Sequence, residues 1–337
     1  MSEIPFFILG SKRGGTTLLR LMLNKHSQLA VPPESHFFIP LLKMFSPEQD
    51  LTADDVQKAL EIILAYPRFE GWNMSKSELQ QAVNNIEMPA CLSLVIEAIF
   101  LFKIKRDTGK KRWGEKTPEY ISIVKELCLL FPGAQYIALS RDGRDVSQSL
   151  KERGWEGWSV YQRAKYWQYS VRQLLLLKNM PVKSIFLRYE DLVLHQKETL
   201  SRLASFLNVR FEESMLNFDE DYEKNITSVE KQSGVHSKLK RKPSQNDAYR
   251  WKQQMKKSDV WKFESQCSAE LKEMGYAVIN FKKNNPLHIA AKYLYTLAGS
   301  ISMFTYKLYH SILSKRRKEK LRNYHAYLWL RKLATKL

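Results

Sequence analysis

The sequence predicts an α/β fold of three layers with a mostly parallel central sheet, a helical insert and a helical C-terminal tail. One observation is an apolar run, Phe6–Leu9, that passes through a glycine-rich turn into helical periodicity from Thr16 to Lys25. A second is the pair of apolar runs Gln135–Ser140 and Ser184–Arg188, each preceded and followed by helical periodicity. Strand and helix in alternation argue for parallel strands covered on both faces. The third is composition: 337 residues, 44% hydrophobic and 26% charged, make a globular chain long enough to bury a full core.

Taken in order, the first strand and helix are followed by a short strand at Leu29–Val31, before Pro32 and Pro33. From His36 to about Thr108 the pattern is mostly helical, with breaks near Pro67–Asn73 and Met88–Pro89. That is long for a crossover and reads as an inserted helical subdomain, residues 36–108. The stretch Glu223–Arg250 is polar, rich in Lys and Ser, and weakly periodic: a loop. A last core helix runs from about Asp259 to Met274, with Gly275 as its C-cap. The main domain therefore covers residues 1–281, and a basic helical extension covers 282–337.

The net charge is +19, but it is unevenly spread. From Lys282 onward there are thirteen Lys and Arg against one acid, Glu319, so the extension carries +12 and the main domain only +7. A basic chain of this kind is no argument for nucleic acid, and none is expected as a partner. The tail holds two helical segments split by KRRKEKLR, and its uninterrupted apolar part, Tyr293–Tyr306, is fourteen residues. A bilayer core of about 30 Å needs more. Such a segment either lies in a membrane interface or docks on the domain with a solvated basic face. No basic n-region precedes the first apolar run, so a cytoplasmic protein is expected, with peripheral membrane contact through the tail as one option. Cys91, Cys128 and Cys267 are far apart, and the seven histidines show no paired spacing. Free thiols and no metal site are expected.

GSKRGGTT, Gly10–Thr17, has the glycine spacing of a phosphate-binding loop and gives the fold its P-loop NTPase-like character. Gly10, Gly14 and Gly15 allow the tight turn, and Thr17 supplies a hydroxyl. Thr16, however, stands where a nucleotide triphosphatase has its lysine, and the cations come earlier, as Lys12 and Arg13. That argues against metal-dependent ATP hydrolysis and for a compact anionic group held by backbone N–H groups, hydroxyls and one or two cations. Taken alone, the motif is also compatible with an ordinary strand-to-helix turn. In ALSRDGRDVSQSLKERGW, Ala138–Trp155, Arg141 ends a strand, and Ser149 and Arg153 share one helix face. They suit a second phosphate, or else a salt-bridged helix start.

Together these two segments resemble the nucleotide-binding signatures of the sulfotransferases that use PAPS (3′-phosphoadenylyl sulfate). Two further stretches match in order: Trp113–Arg144, with a Lys-x-Pro element, and Leu187–Leu207, with Arg-Tyr-Glu-x-Leu. The resemblance covers roughly Pro5 to Tyr276 and is strongest to the branch that includes the tyrosylprotein sulfotransferases. It implies that Lys12, Arg13, Gly14, Gly15, Thr16 and Thr17 hold the 5′-phosphosulfate, with no metal needed. Arg141 and Ser149 would hold the 3′-phosphate, with Arg153 near that end and Tyr189 near the nucleotide. A late cofactor-binding segment would be DAYRWKQQM, with Arg250, Trp251 and Lys252, although Tyr249 stands at the family's serine position and Trp251 can equally be a packing anchor.

Sulfuryl transfer needs a base for the acceptor hydroxyl and a cation on the leaving oxygen. Glu34, in AVPPESHFFIP, matches the catalytic glutamate of the tyrosylprotein branch, with Ser35 in place of that branch's second acid. His36 is a rival base, and a structural acid ahead of a helix is the plainer reading. Lys116 matches the family lysine at the sulfuryl group or leaving oxygen. The implied activity is transfer from PAPS, with PAP as product, to an acceptor hydroxyl: a carbohydrate or glycolipid first, then a peptide tyrosine. Trp155 and Trp158, if exposed, could stack on sugar rings, although core packing is the commoner fate of such residues. A P-loop kinase is disfavoured by Thr16; a non-catalytic nucleotide- or membrane-binding protein is the other alternative.

Overall fold

In the computed structural model, which describes residues 3–155, 157, 159–219, 241–279 and 286–312, strand β1 (Phe6–Leu9) lies at the centre of the sheet. All four of its residues are buried, as a strand covered on both faces requires. β2 (Leu29–Ala30), β5 (Arg112–Glu115), β6 (Gln135–Ser140) and β7 (Lys183–Arg188) complete a sheet of order β2-β5-β1-β6-β7. Every pairing in it is parallel. Two more short strands, β3 (Asp50–Leu51) and β4 (Ala90–Cys91), pair antiparallel within the insert.

The expected strands are present, and β5 is an addition. Its sequence, RWGE, has one large apolar residue and no visible alternation. Tertiary contacts make it a strand: the Arg112 guanidinium donates to the Ile4 carbonyl at 2.7 Å, and a Cβ on Gly114 would lie 2.3 Å from the Phe6 ring.

The helices as far as residue 206 are α1 (Thr16–Asn24), α2 (Phe38–Met44), α3 (Ala53–Ala65), α4 (Lys76–Val83), α5 (Leu92–Thr108), α6 (Val124–Leu130), α7 (Gly143–Arg153), α8 (Val160–Leu176), α9 (Tyr189–Leu194) and α10 (Gln196–Phe206). The insert is α2 to α5 with the β3–β4 ribbon. Thr52 with Asp55 and Ser75 with Glu78 form reciprocal capping boxes that start α3 and α4. Gly109, at φ 67°, stops α5 by donating its N–H to the Lys105 carbonyl.

The last core helix spans Lys257–Glu273 and is followed by Gly275 at φ 78°. The first tail segment is one helix of 27 residues, Pro286–Ile312, running through Lys292 and Lys307. Among the described residues no helix is long and apolar enough to cross a membrane. Trp158, residues 223–240 of the polar stretch, and KRRKEKLR with the second tail segment lie outside the described residues.

The chain divides into two units, residues 1–140 with 173–248, and 141–172 with 249–337. The first holds the sheet and a large aromatic core. Phe7 stacks on Tyr136 with centroids 5.3 Å apart, and its ring lies 5.2 Å from Phe131 and 5.7 Å from Trp113. Phe37 and Phe38 extend this cluster to Trp72 and Phe100. Because Phe7 is fully buried on the central strand, Phe7→Ala is expected to cost about 3–5 kcal/mol of stability. Chemical denaturation checks this, with a loss below 1 kcal/mol meaning that neighbouring rings close the cavity.

Candidate active site

The loop after β1 is built as its glycines demand. Gly14 donates its N–H to the Ser11 carbonyl at 2.9 Å, and Gly15 has φ 95°. A Cβ on Gly10 would meet the Leu139 carbonyl oxygen at 2.6 Å, and one on Gly15 would meet the Tyr189 ring at 2.3 Å. Tyr189 therefore lies directly against the loop. Arg13 takes a left-handed conformation, φ 65°, in the same turn. The turn feeds α1 at Thr16, so the first N–H groups of the helix open onto the loop.

Lys116 follows β5 and is completely buried. Its ammonium donates to Thr17 Oγ1 at 3.3 Å and forms an ion pair with Glu34. Three residues from distant parts of the sequence, Thr17, Glu34 and Lys116, thus meet within the first unit. Burial by itself would raise the Glu34 carboxyl, but the Lys116 charge and the contacts with Lys116 and His36 outweigh it. The group is held ionised, well below the usual carboxylate range.

His36 sits beside this pair at φ 55°, buried. Its Nε2 lies 3.0 Å from Glu34 Oε2 and 3.0 Å from Arg68 Nη1, and its Nδ1 lies 3.8 Å from Glu119. Both ring nitrogens thus face charged groups. Glu119 also pairs with Lys12 at 3.5 Å. Ligand atoms of Glu34, His36 and Glu119 lie within 4.8 Å of one another, close enough to hold a metal ion. Each of the three, though, faces a cation: Lys116, Arg68 and Lys12 respectively. A divalent ion would have to enter against those charges.

Beneath the turn at Glu34 lies a network that the motifs did not indicate. Glu115 is fully buried and accepts from Thr117 Oγ1 at 2.6 Å and Ser35 Oγ at 2.9 Å. Ser35 Oγ also lies 2.7 Å from the Tyr120 hydroxyl, which accepts the Phe38 N–H at 3.0 Å. Burial pushes the Glu115 carboxyl up to about 7, against the opposing hydrogen bonds from Thr117 and Ser35. Its Oε2 has no hydrogen-bond partner among the described residues. Arg68 and Glu119 were missed as well: Arg68 lies in no recognised segment, and Glu119, though it follows the Lys-x-Pro element, gains its partners only in the fold.

The remaining expected residues belong to the second unit. Arg141, directly after β6, is buried, and its guanidinium lies 3.5 Å from Asp145. Trp167 Nε1 donates to the Arg141 carbonyl at 3.0 Å. Ser149 is buried on α7, one turn before the half-buried Arg153. Trp251 is buried and donates from Nε1 to Asp142 at 3.0 Å and from its backbone N–H to Asp145 at 2.7 Å. The Arg144 guanidinium stacks 3.6 Å from the centre of its ring. Those contacts fix the position of the Trp251 ring within the second unit. Arg250 pairs with Glu152 at 3.3 Å, and Lys252 lies 4.9 Å from the centre of the Tyr249 ring.

The raised Glu115 carboxyl has a consequence for stability. A folded-state value near 7, above the ordinary 4.5, favours the protonated folded form, so stability is lost as pH rises from 4.5 through about 7. Glu115→Gln keeps an acceptor for Ser35 and Thr117 but cannot ionise. It is expected to flatten the pH dependence of Tm across that window and to be at least as stable as the parent above it. An unchanged profile assigns the titration to another group.

Comparison with known proteins bears on this geometry. The sequence matches the Sulfotransferase family over residues 5–213. Protein-tyrosine sulfotransferase of Drosophila melanogaster is 23% identical over 227 residues, 65% of this chain and 41% of that protein. Protein-tyrosine sulfotransferase A of Caenorhabditis elegans is 25% identical over 248 residues, 68% of this chain and 57% of that protein. The chain thus spans about half the length of the curated relatives it matches. Among solved structures, the sulfotransferase domain of the Synechococcus PCC 7002 olefin synthase aligns with a TM-score of 0.56 and 22% identity, covering 82% of this chain and 97% of that one. The sulfotransferase domain from the curacin biosynthetic pathway gives 0.55 and 23%, covering 83% and 99%. These two share the α/β fold with its parallel sheet. With the family match extending over more than half of its residues, the chain belongs to the sulfotransferase family.

Proposed function

We propose that this chain moves the sulfuryl group from PAPS to an acceptor hydroxyl, with Glu34 as general base. The observation that carries the reading is the Lys116 ammonium, which touches both Thr17 of the phosphate-type loop and Glu34. In-line displacement asks the protein to position its reactants, take one proton and neutralise charge on one leaving oxygen. A carboxylate and an ammonium side by side, next to an anion-binding loop, meet that need. Family membership implies PAPS as the donor, and bound PAPS supplies the activated sulfur–oxygen bond.

The residues that would hold the 5′ end are Lys12, Arg13, Gly14, Gly15, Thr16 and Thr17, with Tyr189 over Gly15. Only glycine fits at Gly10, Gly14 and Gly15, so the backbone can turn tightly ahead of α1, whose first N–H groups would meet an anion. Resemblance to the family assigns Arg141 and Ser149 to the 3′-phosphate, with Arg153, Arg250 and Trp251 on the nucleotide. Lys116 supplies the cation that the loop lacks at Thr16. Glu34, ionised at rest, accepts the acceptor's proton as the new oxygen–sulfur bond forms. Lys116, drawn to the charge growing on the leaving oxygen, loosens its hold on Glu34, and the carboxylate becomes more basic at that moment.

The acceptor is a carbohydrate or glycolipid hydroxyl in the leading version, for which the exposed Trp155 offers a stacking face. A peptide tyrosine is the second, and the names of the relatives favour it. A kinase reading would need a lysine where Thr16 stands.

Glu34→Gln is expected to lower label transfer from radiolabelled PAPS to acceptor by about 100- to 10,000-fold. PAP should raise the Tm of parent and variant alike, without magnesium. Full activity in the variant removes Glu34 as base, and a magnesium-dependent shift with ATP but none with PAP removes the donor.

A further inference from the structure

The Pro286–Ile312 helix is held along one side by its own unit. Tyr295 packs edge-on to Tyr161 at 5.6 Å, Gln162 donates to the Ser302 carbonyl at 2.9 Å, and a Cβ on Gly299 would meet the Tyr161 ring at 2.3 Å. Gln266 also donates to Thr296 at 3.0 Å. Among the residues whose side chains are described, the opposite side is open and apolar. Ile289, Tyr293, Leu297, Ile301 and Phe304 follow one another at helical spacing and are 46%, 72%, 62%, 57% and 66% exposed. Leu294, beside them, is 68% exposed. Among the described residues of this face none is charged, and Ser300 and Thr305 are its polar members besides the Tyr293 hydroxyl. The stripe is about 22 Å long at 1.5 Å per residue. Isolated apolar residues on a surface need no partner, whereas a continuous stripe of this length does.

We propose that this outward face of the Pro286–Ile312 helix docks on an anionic lipid surface, lying in the interface parallel to the membrane. Its inner side is committed to the protein, and no described helix is long and apolar enough to cross a bilayer, so the helix rests on the membrane. Charge selects the lipid. The 25 residues that follow Ile312 contain nine Lys and Arg and one acid, beginning at Lys315. Such a segment is drawn to acidic headgroups, and apolar insertion plus a polybasic stretch are the two signals that together give stable attachment. A second copy of the chain is the poorer occupant, because pairing these faces brings two such cationic segments together. This inference stands apart from sulfuryl transfer and does not depend on it.

Co-sedimentation of the full chain with phosphatidylcholine vesicles, with and without phosphatidylserine, tests it. Binding to the phosphatidylserine vesicles is expected, weakening as salt is raised, with little to phosphatidylcholine alone. Leu297→Glu combined with Phe304→Glu is expected to reduce vesicle binding at least about tenfold, while the PAP-induced thermal shift stays as in the parent. Absence of binding by the parent overturns the proposal. So does undiminished binding by the double variant, which would leave the basic segment alone responsible. So, too, does a parent dimer that the double variant converts to monomer with vesicle binding unchanged, which would make the face a contact between copies.

Discussion

A fully buried ammonium, that of Lys116, sets the terms for the first of the two units. A charge withdrawn from water has to be matched by an opposite charge and hydrogen-bond acceptors, or its burial costs several kcal/mol. Glu34 and Thr17 provide the match, and in doing so they tie together three segments of the chain. Sheet topology makes this possible. β1 and β5 are parallel neighbours with Phe7 opposite Glu115, so the loop after β1 and the lysine after β5 leave the sheet at the same, carboxyl, end. Open α/β sheets bind ligands at that end. Loss of Lys116 would strand Glu34; loss of Glu34 would strand Lys116.

Support for this pair comes from below. Glu115, one residue before Lys116, holds Ser35, one residue after Glu34, so the ion pair has a neutralisable carboxyl and a hydroxyl directly behind it. Ser35 stands where the resembling branch has a second acid. In this chain an acid there would place two carboxyls together in a buried space, and at least one would have to take up a proton. A serine donates to Glu115 instead. Ser35 and the buried Glu115 thus form one hydrogen-bonded unit in this chain.

The cations around His36 form a similar logic further out. Lys12, Arg68 and Lys116 face Glu119, His36 and Glu34, and the charges interleave so that each carboxylate has its own cation. This is an arrangement suited to anionic reactants. The basicity of the Glu34 carboxylate is set by how tightly Lys116 holds it.

Much of this was legible locally. The Phe6–Leu9 run, the glycines of the loop and the alternation of strand and helix depend on neighbours within a few residues, and they foretold the sheet and the loop. Lys116 and Glu34 could be named because they sit in recognisable segments. β5 could not be seen, because RWGE becomes a strand only through Arg112 reaching Ile4 and Gly114 lying under Phe6. Arg68 lies in no recognised segment, and Glu115 and Glu119, which flank Lys116 in one, acquire their partners only in the fold; the open face of the Pro286–Ile312 helix was ambiguous until its inner side was seen to be occupied. By itself the sequence determined the elements, the loop and the chemical types available to the site, all of which rest on short-range stereochemistry and periodicity. Tertiary structure decided which charges are paired and which apolar residues stay exposed, because pairing and burial are properties of segments that meet only when the chain is folded.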